Sequence, residues 1–88
     1  MIGILVTTTD ALERFVRSAA PGQACQYHLG LLIRDREVSA DANVHRLAIF
    51  ATALNAQGLL ELVQERVRAD CYRYLGIRTS VPAAALAA

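Results

Sequence analysis

The apolar residues of this chain change their spacing several times, and each change marks a switch between helix and strand. Leu12, Phe15, Val16 and Ala19 recur at i, i+3, i+4 and i+7, one stripe of an amphipathic helix. Thr7, Thr8, Thr9 and Asp10 supply several N-caps; with Asp10 as the cap, Glu13 stands three residues later at the capping-box spacing, and Pro21-Gly22 supplies a stop. The spacing therefore predicts a helix from about Asp10 to Ala20. From Cys25 to Ile33 the period falls to two. Cys25, Tyr27, Leu29, Leu31 and Ile33 share one face, the pattern of a strand with one buried side. That reading turns His28 away from the core and leaves Arg34-Asp35-Arg36-Glu37 as a charged, solvated loop.

Helical spacing returns at Val44, Leu47, Ala48, Ala51 and Leu54, with Phe50 widening the stripe. Ser39 or Asp41 can cap this second helix, which runs to about Gln57. Gly58 sits where a glycine relieves the left-handed strain of a helix end. Leu59 to Val67 and Cys71 to Thr79 then alternate as two strands around a turn near Arg68-Ala69-Asp70. On the first, Leu60, Leu62, Gln64 and Arg66 oppose Glu61, Val63, Glu65 and Val67; on the second, Tyr72, Tyr74, Gly76 and Arg78 oppose Cys71, Arg73, Leu75 and Ile77. Neither pattern stays clean to its tip, so the hairpin ends should project beyond the core with their arginines in water. Ile2 to Val6 reads as an edge strand. The expected fold is α+β: two helices packed on a small antiparallel sheet with a C-terminal β-hairpin, in the order (β)αβαββ.

Length and composition make this one domain, residues 1–88. With 55% of residues hydrophobic and 19% charged, the chain lacks the low hydrophobicity and high net charge that keep a segment disordered. The ordered core should span about residues 10–79. Residues 80–88, Ser-Val-Pro-Ala-Ala-Ala-Leu-Ala-Ala, are uncharged and should form a frayed or partly helical tail. The apolar start before Val6 is too short for a signal peptide or a span, so a cytoplasmic protein with reduced thiols is expected.

The side chains offer little chemistry. His28 and His45 have no partners at metal-ligand spacing, and a zinc site needs three or four ligands. Cys25 and Cys71 fall on faces shared with Leu and Ile, where a thiol acts as a small hydrophobe. Glu61 and Glu65 stand beside arginines on one strand, as in a solvated, ion-paired hairpin. The five glycines are scattered and form no phosphate cradle. The expectation is a non-enzymatic protein with no cofactor and no metal.

Binding is the remaining class. All nine basic residues are arginine, balanced by eight acidic ones to a net charge of +1. Sequence-blind nucleic-acid binding depends on neutralising many phosphates and is disfavoured by that balance. Around Ala42, His45, Ile49, Thr52, Ala53 and Ala56 the outer face of the second helix is small and weakly polar, with only Arg46 basic nearby. Such a face suits packing against another protein or a second copy, with Ile49 and Ala53 central and Arg46 at the margin. Tyr72 and Tyr74 are candidate anchors on the hairpin, and Arg66, Arg68 and Arg73 offer planar donors.

Two resemblances add to this. A helix ending in glycine and feeding an Arg-bearing hairpin with tyrosines on its return strand, Val44 to Ile77, resembles the last third of a winged-helix domain. A winged-helix DNA binder places two helices between its first strand and the hairpin, whereas Asp35 to Gly58 reads as one long helix. The string Tyr27-His28-Leu29-Gly30-Leu31-Leu32 with Asp35-Arg36, Val63-Gln64-Glu65-Arg66 and Tyr72-Arg73-Tyr74 is similar to short uncharacterised proteins of proteobacteria and their phages. It implies a phage or prophage origin and brings no activity with it. The expected function is regulation by protein–protein contact, as a dimer or as an inhibitor of a host complex such as a defence system. The alternative is a degenerate winged-helix DNA-binding regulator using Arg46, Arg66, Arg68, Arg73 and Arg78.

Overall fold

A computed structural model describes residues 4–38 and 42–86 of the chain. The strands are β1 (Ile4–Leu5), β2 (Ala24–Gly30), β3 (Leu60–Arg68) and β4 (Cys71–Arg78). The helices are α1 (Thr9–Ser18), α2 (Leu32–Val38) and α3 (Asn43–Ala56), followed by a 3-10 turn at Ala83–Leu86. The sheet order is β1-β2-β4-β3. β1 runs parallel to β2, and the other two pairings are antiparallel, so the sheet is mixed where an antiparallel one was expected. No helix among the described residues is long and apolar enough to cross a membrane.

The α+β class and the C-terminal hairpin agree with the sequence reading; the number of helices does not. Leu31, Leu32 and Ile33 leave the strand, and the charged run behind them is helical as α2. Gly30 makes the break. Its φ of +138° suits glycine, and the Asp35 carboxylate occupies the space where a Cβ would stand. Asp35 Oδ2 accepts from Leu31 N at 3.1 Å, and Tyr74 Oη accepts from Leu32 N at 3.0 Å. Two backbone donors at the start of α2 are thus satisfied by side chains. The order is βαβααββ, with two helices between β2 and the hairpin.

Smaller shifts have equally local causes. Thr8, in extended conformation, caps α1 by accepting from Ala11 N at 3.1 Å, so Asp10 falls in the first turn instead of at the cap. The expected caps Ser39 and Asp41 lie outside the described residues. α3 begins after Ala42, which is left-handed and makes no side-chain cap bond. Its other end matches expectation, with Gln57 as C-cap and Gly58 at φ +79°.

One apolar cluster joins the helices to a single face of the sheet: Leu12, Phe15 and Val16 of α1, Leu47, Ala51 and Leu54 of α3, and Cys25, Leu60 and Tyr74 of the strands. Cross-strand partners share a face, so Leu60, Leu62, Gln64 and Arg66 of β3 lie on the helical side with Tyr72, Tyr74, Gly76 and Arg78 of β4. A register shift between Gln26 and His28 lets Tyr27 and His28 both approach Tyr74, with ring centroids 6.2 and 5.7 Å away. The expected alternation is therefore broken. His28 turns toward the Tyr74 ring, and Leu29, expected in the core, is 50% exposed.

Arg78 departs furthest from its expected place in water. It is 7% exposed. Its Nε donates to Val16 O at 2.7 Å, in the last turn of α1, and its Nη1 donates to Thr79 O and Val81 O at 2.8 and 2.7 Å. The negative end of a helix is a favourable site for a cation, and the carbonyls satisfy the guanidinium there. Beyond β4, Val81 and Leu86 pack against the core cluster.

Urea melts test this packing. Leu47→Ala should cost about 2–5 kcal/mol, as a cavity at a side chain 4% exposed. Arg46→Ala, at an exposed neighbour, should cost well under about 1 kcal/mol. Arg78→Ala should fall with Leu47→Ala, at about 2–4 kcal/mol, because three carbonyl partners are left behind. An Arg78 variant as mild as the Arg46 variant would contradict the buried placement.

Candidate functional site

The outward face of α3 exists as a surface. Ala42, His45, Arg46, Ile49, Thr52, Ala53 and Ala56 are all exposed, and Ile49 is 51% exposed. Among the described residues, neither β1 nor the turn at Ala83–Leu86 covers it. The helix is amphipathic in an unusual sense: its inner stripe is Leu47, Ala48, Ala51 and Leu54, and its outer stripe remains largely apolar. Two outer polar groups are already occupied by backbone. Thr52 Oγ1 donates to Ala48 O, and Asn55 Nδ2 donates to Leu60 O, both at 2.9 Å. That removes two of the few side chains able to read an external ligand.

The hairpin separates its charges by face. On the side away from the helices, the Arg73 guanidinium is bonded to Glu65 and, at 3.1 Å through Nε, to Gln26 Oε1. On the helical side stands Arg66, one residue pair beyond Gln64 and opposite Tyr72. Arg66 and Arg68 are exposed. Tyr72 is half-buried, while Tyr74 is 8% exposed and committed to capping α2. The structure thus separates the sequence-derived candidates into three places. Arg46, Ile49 and Ala53 are on α3; Arg66 and Tyr72 lie on the inner hairpin face beside buried Tyr74; Arg73 lies on the outer face, and Arg68 beyond a bulge at the tip.

Two hollows went unread in the sequence. One, of ≈ 360 Å³, lies where β2 runs on past the end of β1, between Leu5, Gln26 and Leu29 and the first two turns of α3 at Asn43, Val44 and Leu47. The other is a trough between the start of α2 and the inner face of the hairpin. It consists of two adjoining depressions of ≈ 390 and ≈ 410 Å³ that share Leu32, Gln64 and Tyr74. Its signal was present only indirectly, in Gly30 placed before three consecutive large aliphatic residues.

Beside the trough, His28 Nε2 donates to Asp35 Oδ2 at 2.8 Å, and Arg34 Nε reaches Asp35 Oδ1 at 3.3 Å. The His28 bond, with Arg34 adding, holds the Asp35 carboxyl below the usual carboxylate range. Cys25 is fully buried, and burial pushes its thiol up to about 11, away from thiolate chemistry. Among the described residues no group of three or more His, Cys, Asp or Glu side chains could hold a metal ion. In comparisons with protein-family models, curated proteins and solved structures, nothing matched this chain.

The Asp35 contacts give a pH dependence. A carboxyl depressed on folding stabilises the fold above its unfolded value of about 3.9, and that contribution disappears as pH falls through the folded value. Stability measured against pH should therefore drop more steeply below about pH 4 for wild type than for Asp35→Asn. Parallel acid limbs for the two proteins would remove Asp35 from the capping role.

Proposed function

We propose that this chain is a small, non-enzymatic regulatory protein that acts by protein–protein contact through the outward face of α3. The observation that carries the reading is Ile49, half-exposed on a face that it shares with Ala42, His45, Thr52, Ala53 and Ala56. Small side chains let another backbone approach closely, and a central aliphatic residue supplies the buried area that an interface core needs. Arg46 at the margin gives orientation more than affinity. With the phage or prophage origin that the sequence resemblance implies, we propose a cytoplasmic host complex, such as a defence system, as the target of inhibition. A second copy is the simplest partner to test, because a two-fold dimer buries the same patch on both subunits.

One observation favours a second reading, a degenerate winged-helix DNA binder. α2 and α3 stand between β2 and the hairpin, the two-helix arrangement that this resemblance requires. Arg46, Arg66 and Arg68 would then meet phosphates. The outer face of α3 argues against it, because base readout needs several Arg, Lys, Asn or Gln side chains. Arg73 is already paired with Glu65, and Arg78 is buried.

Analytical ultracentrifugation tests the dimer form. Wild type should self-associate at micromolar concentration, and Ile49→Arg should weaken association without unfolding the protein. A wild type that stays monomeric at high micromolar concentration removes the homodimer, and a pull-down with and without nuclease then separates protein partners from nucleic-acid bridging.

Duplex DNA titrated at increasing salt discriminates the two readings. A DNA binder would show a log–log slope near −0.9 per phosphate neutralised, flattened by up to about two units in an Arg66→Ala, Arg68→Ala double variant. The expected result is no measurable duplex binding at physiological salt. A sub-micromolar, salt-sensitive complex would transfer the function to the winged-helix reading.

A further inference from the structure

We propose that the trough between α2 and the inner face of the hairpin is a second binding site, which takes an extended peptide segment carrying a bulky apolar side chain next to an acidic one. It lies on a different surface from the outer face of α3 and does not depend on the function assigned to that face.

The walls argue for an apolar side chain. Leu31, Leu32 and Ile33 form one side and Tyr72 and Tyr74 the floor. Ile33, at 72%, has the highest exposure among the large exposed hydrophobic residues, and it stands at the mouth of a depression instead of on a bare convex surface. A concave apolar wall with aromatic rings and a few convergent polar groups is the usual make-up of a binding groove. Gln64 supplies an exposed amide in the middle of the trough, able both to donate to and to accept from a peptide backbone.

The charge argues for an acidic neighbour. Arg66 lies on the trough side of β3, one pair beyond Gln64, and its exposed guanidinium has no carboxylate partner among the described residues. Glu61 and Glu65 alternate to the opposite face, where Glu65 is held by Arg73. Asp35, the carboxylate at the α2 wall, is taken up by His28, Leu31 N and Arg34. Glu37 on α2 and Asp70 at the turn are exposed, so the trough is not uniformly basic; the complementarity is local to Arg66. A guanidinium beside an apolar hollow recognises a carboxylate bidentately while the adjoining side chain is buried.

The shape argues for an extended chain. β3 is the outer strand of the sheet and, among the described residues, pairs only with β4, so beyond Leu60, whose carbonyl accepts from Asn55, its other backbone edge takes no strand along one side of the trough. An added strand can take main-chain bonds from such an edge and place alternate side chains into pockets. Tyrosine with arginine also suits stacked bases. Here the aliphatic wall of α2 favours a peptide.

Selection from a random linear-peptide display library against the intact protein tests the site. The expected outcome is enrichment of sequences pairing a bulky apolar residue with Asp or Glu. Arg66→Glu should lower their affinity about tenfold or more, the loss of a charge-assisted contact. Ile33→Asp, at an exposed position, should abolish binding, while Arg14→Ala, at an exposed position on α1, should leave it unchanged. Thermal melts confirm that the variants remain folded. The proposal is overturned by an absence of enrichment, by enriched peptides without acidic residues, or by binding that survives both trough substitutions. It is equally overturned if single-stranded oligothymidylate binds the trough while selected peptides do not compete.

Discussion

The Arg78 guanidinium ties together three parts of the chain: the end of β4, the end of α1 and the segment that follows β4. It sits at the end of β4, reaches the last turn of α1 through Val16 O, and holds the backbone of the C-terminal segment through Thr79 O and Val81 O. A buried cation is costly unless its donors are satisfied, and here three neutral carbonyls, one of them at the negative end of α1, do so. The arrangement fixes how far α1 stands from the sheet, which in turn sets the space filled by Leu12, Phe15 and Val16. The position of Val81 and Leu86 over the core follows from the same contacts.

A second polar arrangement, around Gly30, makes the surface that the first one leaves free. The strand stops at a backbone conformation suited to glycine, and Asp35 folds back over the break. α2 therefore stands across from the hairpin instead of extending the sheet. Without that turn, Leu31 and Ile33 would continue the alternation of β2 and the trough would not form. The bulge at Tyr27 belongs to the same arrangement, since it brings His28 to the side where Asp35 can accept its proton.

The residues that the sequence placed well are those where one physical signal acts alone. Leu47, Ala51 and Leu54 repeat at helical spacing and are buried as expected; Gly58 ends the helix; Leu60 to Arg66 alternate as read. The failures fall where two signals compete. Leu31-Leu32-Ile33 fits strand or helix equally, and only the contacts of Gly30 with Asp35 and of Leu32 with Tyr74 decide between them. Arg78 alternates like a surface residue, and its burial depends on a helix end that is 62 positions away in sequence. Of the candidate binding residues, the α3 face was legible because exposure follows from helical phase. The trough was not, because its walls come from segments brought together by tertiary structure.

The strand order carries a kinetic consequence. β3 and β4 are neighbours in sequence and close through a short turn, whereas β2 must find β4 across both α2 and α3, with Ala24 meeting Ile77. β1 adds to the far side of β2 only after the chain has passed through α1. Loop-closure entropy makes such distant pairings slow relative to local ones. The hairpin and α3 are thus the natural early partners, and the sheet is completed from its C-terminal half outward. During synthesis β2 leaves the ribosome well before the strand it needs, so Cys25 and Gln26 wait for Gly76 and Leu75 until β4 follows.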